Sequence, residues 1–280
     1  MSNTATVLAF DFGASSGRGI RALYDGQNLT YEEIHRFENV PIEKDGHLCW
    51  DVETLLKEIH TAIQKAGTFD SLGFDTWGVD FGLLDADGHL LANPVHYRDA
   101  RTNGKPEQAA ACMPAEELYA HTGNQIMAIN TLFQLLALQE QESELLQKAE
   151  QILFMPDLFA ALLGAEPVCE RSIASTSQML DPRTGQWSRE VLTAYGLKEN
   201  HFAPLVASGT VTGTLTTGAK IIAVAGHDTQ CASAAMPCAE EDVEHTAFLS
   251  CGTWSLLGTE LDAPILTADS CQSGLSNELG

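Results

Sequence analysis

A glycine- and hydroxyl-rich stretch near the start of the chain contains residue types that can bind a phosphate group. This stretch, FDFGASSGRGI at residues 10–20, places Asp11 directly after an apolar run and carries three glycines and two serines. Backbone N–H groups in a glycine-permitted turn can point together at a phosphate, and an aspartate at a strand end can hold Mg²⁺. A hairpin with a solvated loop fits equally well, because turns rich in glycine and serine are common.

Three familiar glycine motifs do not fit this stretch. A P-loop needs a lysine directly after its last glycine, whereas Arg18 follows Gly17. The glycines of a dinucleotide-binding fingerprint open a helix, and here they join two predicted strands. The Asp-Phe-Gly run at 11–13 also occurs in protein kinases, but no H-R-D loop or V-A-I-K strand accompanies it.

Ionisable and aromatic residues cluster in FDTWGVDFGLLD at 74–85 and in HYRDAR at 96–101. Small-molecule sites combine an apolar or aromatic wall with a few placed polar groups, so a sugar site is one interpretation. The alternative is that Trp77 lies in the core and that the charged residues form a surface ion-pair cluster. The residues concerned are Asp75, Trp77, Asp80, Arg98, Asp99 and Arg101, and of these Trp77, Asp80 and Arg98 are the candidates for sugar contact.

Two further motifs lie downstream, AVAGHDTQCASA at 223–234 and LSCGTWSLLG at 249–258. In the first, Asp228 follows an apolar strand where a helix begins, which suits either a helix N-cap or a general base. The second repeats the strand, glycine, hydroxyl, strand pattern of residues 10–20. Two such hairpins with an aspartate between them favour a phosphate site over two ordinary turns.

The elements that must position these residues are predicted from periodicity and turn signals. Asp25-Gly26 predicts a hairpin, and Asp51 and Gly67 are expected to bound an amphipathic helix. The stretch 208–220 is predicted to be a connection, and the pattern as a whole is mixed α/β. The predicted strands are residues 7–10, 19–24, 29–34, 72–77, 79–84, 248–250 and 254–257, with a mostly helical region at 106–195 and a small hairpin at 179–188.

The charge balance excludes two classes of partner. Fifteen basic and 38 acidic residues give a formal net charge of −23, which repels nucleic acid and anionic membranes. No apolar run is long enough for a transmembrane helix, and no basic leader precedes the first strand. The seven cysteines contain no C-x-x-C pair, so we expect a reduced, cytoplasmic protein without a zinc site.

Five motifs in order resemble those of the FGGY carbohydrate kinases. They are DFGASSGR, DTWGVDFGLLD, YRDARTNG, GHDT and SCGTWSLLG, and the resemblance runs from about residue 7 to residue 258. It implies an α/β fold of the actin-like ATPase (ribonuclease-H-like) type, in which two such domains face a cleft that holds ATP and a sugar. Residues 1–239 would form the first domain, and 240–280 would begin the second.

The resemblance also implies an activity and roles for matched positions. The activity is ATP-dependent phosphorylation of a ketose with Mg²⁺, L-rhamnulose being the first choice and fuculose or xylulose the alternatives. Asp228 would be the base, and His227 and Gly78 would line the sugar site. The ATP phosphates would contact Asp11, which also holds Mg²⁺, together with Ala14, Ser15, Ser16, Gly17, Arg18 and, from the second hairpin, Thr253.

The chain departs from the family pattern at its end. Family members continue well beyond this length, so most of the adenosine-binding half is expected to be missing. The final SNELG carries Leu279 where the family usually has glycine. A non-catalytic sugar-binding or regulatory fragment therefore stays open as a second interpretation, and a non-sugar ATPase of the same fold, such as a chaperone, as a third.

Overall fold

The computed structural model describes residues 4–252 and 254–279 of the chain. Its strands are β1 (Ala5–Phe12), β2 (Ser16–Tyr24), β3 (Leu29–Glu38), β4 (Ile42–Lys44), β5 (His47–Cys49), β6 (Ser71–Thr76), β7 (Phe81–Leu84), β8 (Gln151–Phe154), β9 (Cys169–Glu170), β10 (Leu180–Asp181), β11 (Gln186–Trp187), β12 (Leu205–Val206), β13 (Thr210–Thr214), β14 (Lys220–Ala223), β15 (Phe248–Cys251) and β16 (Ser255–Gly258). Its α-helices are α1 (Val52–Ala66), α2 (Lys105–Ala109), α3 (Ala115–Thr122), α4 (Thr131–Gln141), α5 (Ser143–Lys148), α6 (Met155–Leu162), α7 (Arg171–Ser175), α8 (Arg189–Ala194), α9 (Asp228–Ala234) and α10 (Ala268–Gln272).

A six-stranded mixed sheet organises the molecule, in the order β13-β14-β6-β1-β2-β3. β1, β2 and β3 form antiparallel hairpins, while β6 pairs in parallel with β1 on one side and with β14 on the other. The carboxyl ends of parallel strands meet at one edge of a sheet, where ligands of α/β proteins bind. In this register Asp11 of β1 lies directly beside Asp75 of β6.

The first hairpin turn and the first helix form as their sequences predict. Asp25 Oδ1 accepts hydrogen bonds from the backbone N–H groups of residues 27 and 28, and Gly26 adopts φ +100°. Asp51 caps α1 by accepting from Thr54 N, and Gly67 follows the last turn with φ +68°. The buried face of α1 lies on the sheet so closely that a Cβ atom on Gly19 would come 2.9 Å from the Ala62 Cβ.

Six strands were not predicted, namely β4, β5, β8, β9, β12 and β13, and the two longest of them are β8 and β13. β8 interrupts the region expected to be mostly helical and pairs with β7. It was missed because its three apolar residues, 152–154, give too short a pattern to assign. The stretch predicted to be a connection contains β13, which pairs with β14 as an edge strand. Its threonines have high strand propensity, and Gly213 sits at the register shift, where a Cβ would come 2.8 Å from the Ala165 Cα. The small hairpin β10–β11 and the two strands β15 and β16 are confirmed.

The last described residues return to the first part of the chain. We name residues 265–279 the return segment. It contains α10, which starts with a capping box formed by Thr267 and Ser270. Near its end, Asn277 Nδ2 donates to the Gly123 carbonyl oxygen at 3.0 Å. The predicted domain boundary at residue 239 stays a prediction.

The described chain has two further properties relevant to the sequence expectations. Within residues 4–252 and 254–279, each helix is too short or too polar to cross a bilayer. All seven cysteines lie in these ranges, and each is a free thiol.

Candidate active site

A cavity of about 370 Å³ brings together residues from distant parts of the chain. Its size falls within the usual range for small-molecule sites. Of the residues predicted to contact the sugar, Trp77, Gly78, His227 and Asp228 line it. Of those predicted to contact phosphate, Ala14 lines it. The first hairpin, the β6–β7 connection, the start of α9, the second hairpin and the return segment all contribute to its wall.

The turn between β1 and β2 is held from behind by Asn39. Asn39 Nδ2 donates to the Gly13 carbonyl oxygen at 2.9 Å, and Asn39 N donates to the Ser15 carbonyl oxygen at 3.0 Å. Gly13 N closes the turn by donating to Ser16 O at 2.9 Å. Gly13 and Ala14 then form the part of the turn that faces the cavity, in the position expected for a phosphate-binding loop.

The turn predicted to bind phosphate is shorter than the sequence predicted. Ser16, Gly17 and Arg18 belong to strand β2, and Ser15 is exposed at the tip. Gly17 is buried, and a Cβ there would come 2.2 Å from the ring of Phe37. Glycine at position 17 therefore allows close packing against Phe37, and its contact with phosphate stays a prediction.

Asp11 and Asp75 are neighbouring carboxylates of the kind that binds Mg²⁺. Mg²⁺ is usually held by one or two carboxylates together with substrate phosphates, and these two side chains stand on neighbouring strands in register. Asp11 also forms an ion pair with Arg18, which engages the guanidinium predicted to bind ATP. Burial, together with the nearby charges of Asp11 and Asp228, raises the pKa of Asp75 well above its ordinary value.

Asp80 lies behind the cavity wall, which corrects its assignment as a sugar contact. The residue is fully buried, and its Oδ2 accepts from Trp50 Nε1 at 2.7 Å, Trp77 Nε1 at 3.0 Å and Tyr97 N at 3.1 Å. Its Oδ1 accepts from Gln134 Nε2 at 2.8 Å. Burial raises the pKa of Asp80 to about 6, although these hydrogen bonds act in the opposite direction. Asp80 thus fixes Trp77 and Tyr97, which do line the cavity.

Arg98 is not one of the residues that line the cavity. The side chain is exposed, and its guanidinium carbon stands 5.3 Å from the centroid of the Tyr97 ring. This cation–π contact stabilises the ring of Tyr97, a residue that lines the cavity. Arg98 therefore supports Tyr97, and its contact with the sugar stays a prediction.

The turn after Trp77 has an unusual backbone. Val79 adopts φ +68°, a conformation that is strained for a β-branched residue. Two threonines hold it there, because Val79 N donates to Thr176 Oγ1 at 3.1 Å and Thr131 Oγ1 donates to Val79 O at 2.6 Å. A Cβ atom on Gly78 would come 3.3 Å from His227 Nε2, so glycine at this position lets the turn approach the His227 ring closely.

His227 and Asp228 stand where β14 leads into α9. Thr76 N donates to Gly226 O at 2.9 Å and so ties this connection to the end of β6. Asp228 Oδ1 accepts from Thr229 N at 2.6 Å, and His227 Nε2 lies 3.4 Å from the same oxygen. The Asp228 side chain is 41% exposed, and its Oδ2 has no hydrogen-bond partner within the part of the chain that the structure describes. One carboxylate oxygen is thus fixed, and the other is available to a ligand.

His227 is held in its charged form by carboxylates. Its Nδ1 lies 2.7 Å from Glu278 Oε2. Burial lowers the pKa of His227, but the carboxylates of Glu278 and Asp228 outweigh it and raise that pKa to about 9. These carboxylates therefore favour the imidazolium form of His227, beside the carboxylate predicted to be a base.

Sequence reasoning missed Glu170, a buried carboxylate that organises the approach to His227. Its Oε2 accepts from Gly226 N and from Ser172 N, both at 3.0 Å, and its Oε1 accepts from Ser208 Oγ at 2.7 Å. Sequence reasoning also missed Glu278. The signal for Glu170 was its place at the start of α7, where a carboxylate caps the helix. Only the tertiary fold brings Glu278 to the site.

The second hairpin contributes Ser250, Gly252 and Trp254 to the wall of the same cavity that the first hairpin lines. This agrees with the prediction that the two hairpins serve one site. Thr253, the residue predicted to contact ATP from this hairpin, lies outside the described residues.

Comparisons with known sequences identify relatives of the chain. A model of the FGGY family of carbohydrate kinases, N-terminal domain, matches residues 6–234. The chain is 41% identical over 286 residues to a rhamnulokinase of Bacteroides thetaiotaomicron and 39% identical over 290 residues to a rhamnulokinase of Enterococcus faecalis. Both alignments cover 98% of this chain but only 58% and 57% of the relatives, so the chain spans less than two thirds of their length.

Solved structures of sugar kinases share the fold. A ligand-bound xylulose kinase from Lactobacillus acidophilus matches 95% of this chain and 56% of its own length, with a TM-score of 0.78 and 18% identity. A carbohydrate kinase from Novosphingobium aromaticivorans matches 96% of this chain and 58% of its own length, with a TM-score of 0.76 and 23% identity. These matches confirm the predicted actin-like ATPase fold. Because the family model also matches most of the sequence, the chain belongs to the FGGY family of carbohydrate kinases.

Proposed function

We propose that this chain forms the sugar-binding part of an ATP-dependent ketose kinase, and that its sugar is L-rhamnulose, which receives the phosphoryl group on its C1 hydroxyl. The main support is that one cavity joins the half-exposed Asp228 carboxylate to the Gly13–Ala14 turn. The names of the two relatives at about 40% identity support the choice of sugar.

The side chains of the cavity are suited to activating a hydroxyl group. A sugar hydroxyl is a poor nucleophile at neutral pH, so its proton must pass to a base within hydrogen-bond reach. Asp228 Oδ2 would accept that proton, while Thr229 holds Oδ1 in place. The apolar side chains of Trp77 and Trp254 would cover the sugar and exclude water.

The residues present also fit ATP and Mg²⁺. The backbone of the Gly13–Ala14 turn faces the cavity, and the paired carboxylates of Asp11 and Asp75 supply the hard oxygen ligands that Mg²⁺ prefers. When bound, ATP would supply the phosphoryl group, and Mg²⁺ would neutralise part of the charge on its phosphates. The resident Arg18 adds a positive charge beside these carboxylates.

A second candidate function follows from the coverage of the relatives. Because the chain spans 57–58% of their length, we also consider that this polypeptide alone binds the sugar without transferring phosphate. Both candidates use the same cavity and the same sugar. They differ only in whether ATP is turned over.

A ketose panel separates the two candidates. The chain is incubated with ATP, Mg²⁺ and L-rhamnulose, L-fuculose or D-xylulose, and both ADP release and calorimetric binding are measured. Release of ADP that is fastest with L-rhamnulose supports the kinase proposal, and binding of L-rhamnulose without ADP release supports the second candidate. If none of the three ketoses binds or is phosphorylated, both candidates are wrong.

A further inference from the structure

We propose that Glu278 is a positioning residue of this site, which orients the His227 ring so that Nε2 faces the Asp228 carboxylate. The proposal rests on the proposed function, because it assigns Glu278 to the same sugar site. Glu278 lies 51 positions from His227 in the sequence and lines the same cavity.

The three side chains form a line of polar contacts. Glu278 Oε2 lies 2.7 Å from His227 Nδ1, and His227 Nε2 lies 3.4 Å from Asp228 Oδ1. Gln230 Nε2 donates to the same Glu278 oxygen at 3.0 Å and fixes the carboxylate from the side of α9. The side chains of His227 and Glu278 are only 12% and 21% exposed, so water competes little with these contacts.

The backbone on both sides of Glu278 is anchored to the first part of the chain. Asn277 N donates to Gly123 O at 2.8 Å, and Asn277 Nδ2 donates to the same oxygen. Leu279 N donates to Ser175 Oγ at 3.1 Å, and the Leu279 side chain packs against the core. The return segment therefore presents the Glu278 carboxylate at a fixed place, and leucine at position 279 is used for packing.

A carboxylate on Nδ1 determines what Nε2 can do. When Nδ1–H donates to Glu278 and the ring is protonated, Nε2–H becomes a donor toward the cavity. The titratable groups that face the ring are Glu278 on the return segment, Asp228 on α9 and Asp75 on β6. Their combined negative charge favours the imidazolium. His227 then offers a charged donor to Asp228, or to a sugar oxygen next to the hydroxyl that Asp228 deprotonates.

The experiment is an NMR titration of the His227 imidazole in this chain. In the wild-type chain the imidazole is expected to titrate well above the ordinary histidine range, with a pKa of about 9. Glu278→Gln keeps the length and one acceptor oxygen but removes the charge, and it should lower the pKa of His227 toward the ordinary histidine range. Glu58→Gln is the matched control, because it neutralises another histidine partner, 2.5 Å from His35 Nε2 and outside the cavity; it should leave the His227 titration unchanged.

Sugar binding supplies the second readout. We expect Glu278→Gln to weaken L-rhamnulose binding about tenfold, and Glu278→Asp, which keeps the charge, to restore part of the affinity. The proposal is overturned if His227 titrates near its ordinary pKa in the wild-type chain, a result that needs no variant, or if Glu278→Gln leaves its titration unchanged. A wild-type chain that binds no ketose contradicts the proposed function instead, and the titration still decides the role of Glu278.

Discussion

Asp228 is the residue to which the proposed chemistry assigns the proton transfer. Its Oδ1 is fixed by Thr229 N, whereas its Oδ2 is available within the described structure. Asp228→Asn keeps the shape but removes the base. In any form of the protein that phosphorylates L-rhamnulose, we expect kcat to fall about 100-fold or more, since general base catalysis contributes about 10²–10⁴-fold. The calorimetric affinity for the sugar should change less than about threefold. Normal turnover by this variant would contradict the assignment.

Asp80 is a buried carboxylate that holds Trp77 and Tyr97 in the cavity wall. Three N–H donors point at Oδ2 and one at Oδ1. In Asp80→Asn the amide NH₂ must face at least one of these donors, so we expect a loss of about 2–4 kcal/mol in the free energy of unfolding, measured in urea. Asp87→Asn, at an exposed turn, should change it by less than about 0.5 kcal/mol. Equal stabilities of the two variants would rule out the proposed role.

Asp75 should make stability depend on pH. Its pKa in the folded chain lies well above the ordinary value of about 4, because of burial and the charges of Asp11 and Asp228. The folded chain therefore binds this proton more tightly than the unfolded chain, and stability falls as pH rises from about 4 through the folded pKa. Without divalent cations, Asp75→Asn should melt at a higher temperature than wild type at pH 8, and the difference should shrink toward pH 4. A variant that is less stable than wild type at pH 8 would refute this explanation.

The first hairpin contains a glycine that packs in the core and a glycine that lines the cavity. These are Gly17 in β2 and Gly13 in the turn between β1 and β2. Gly17→Ala places a Cβ 2.2 Å from the Phe37 ring, whereas a Cβ on Gly13 meets nothing closer than Ser16 O at 3.4 Å. We expect Gly17→Ala to lower stability by about 1–3 kcal/mol and Gly13→Ala to change it little, as measured by thermal unfolding. If Gly17→Ala folds with wild-type stability but loses nucleotide binding, Gly17 contacts phosphate after all.

Local signals were sufficient to predict the elements that depend on neighbouring residues. Asp25-Gly26 and the caps of α1 were predicted because their hydrogen bonds join residues only a few positions apart. The edge strand β13 was missed because its pairing with β14 is known only from the fold. In the same way, the charge and aromatic pattern indicated Asp80 and Arg98, but whether a side chain faces a cavity or its supporting layer depends on tertiary packing.

Across the whole molecule, the sequence motifs predicted which segments meet at the cavity. The structure adds the return segment, whose Glu278 also lines it. Ala14, Gly78 and Asp228 were expected to share a site from the order of the motifs, and all three line one cavity. Glu278 could not be assigned a role from sequence, because its partner His227 lies 51 positions away and only the anchored return segment brings them together.

Calorimetric titration with L-rhamnulose shows whether this cavity is the sugar site. Gly78→Leu places a side chain in the cavity wall, where even a Cβ comes 3.2 Å from Thr176 Cγ2 and 3.3 Å from His227 Nε2. Ala110→Leu adds a similar side chain at an exposed position outside the cavity and serves as the control. We expect saturable binding by the wild-type chain and by Ala110→Leu, with affinity at least about tenfold weaker in Gly78→Leu. No binding by the wild-type chain, or equal affinity in all three proteins, would contradict this assignment.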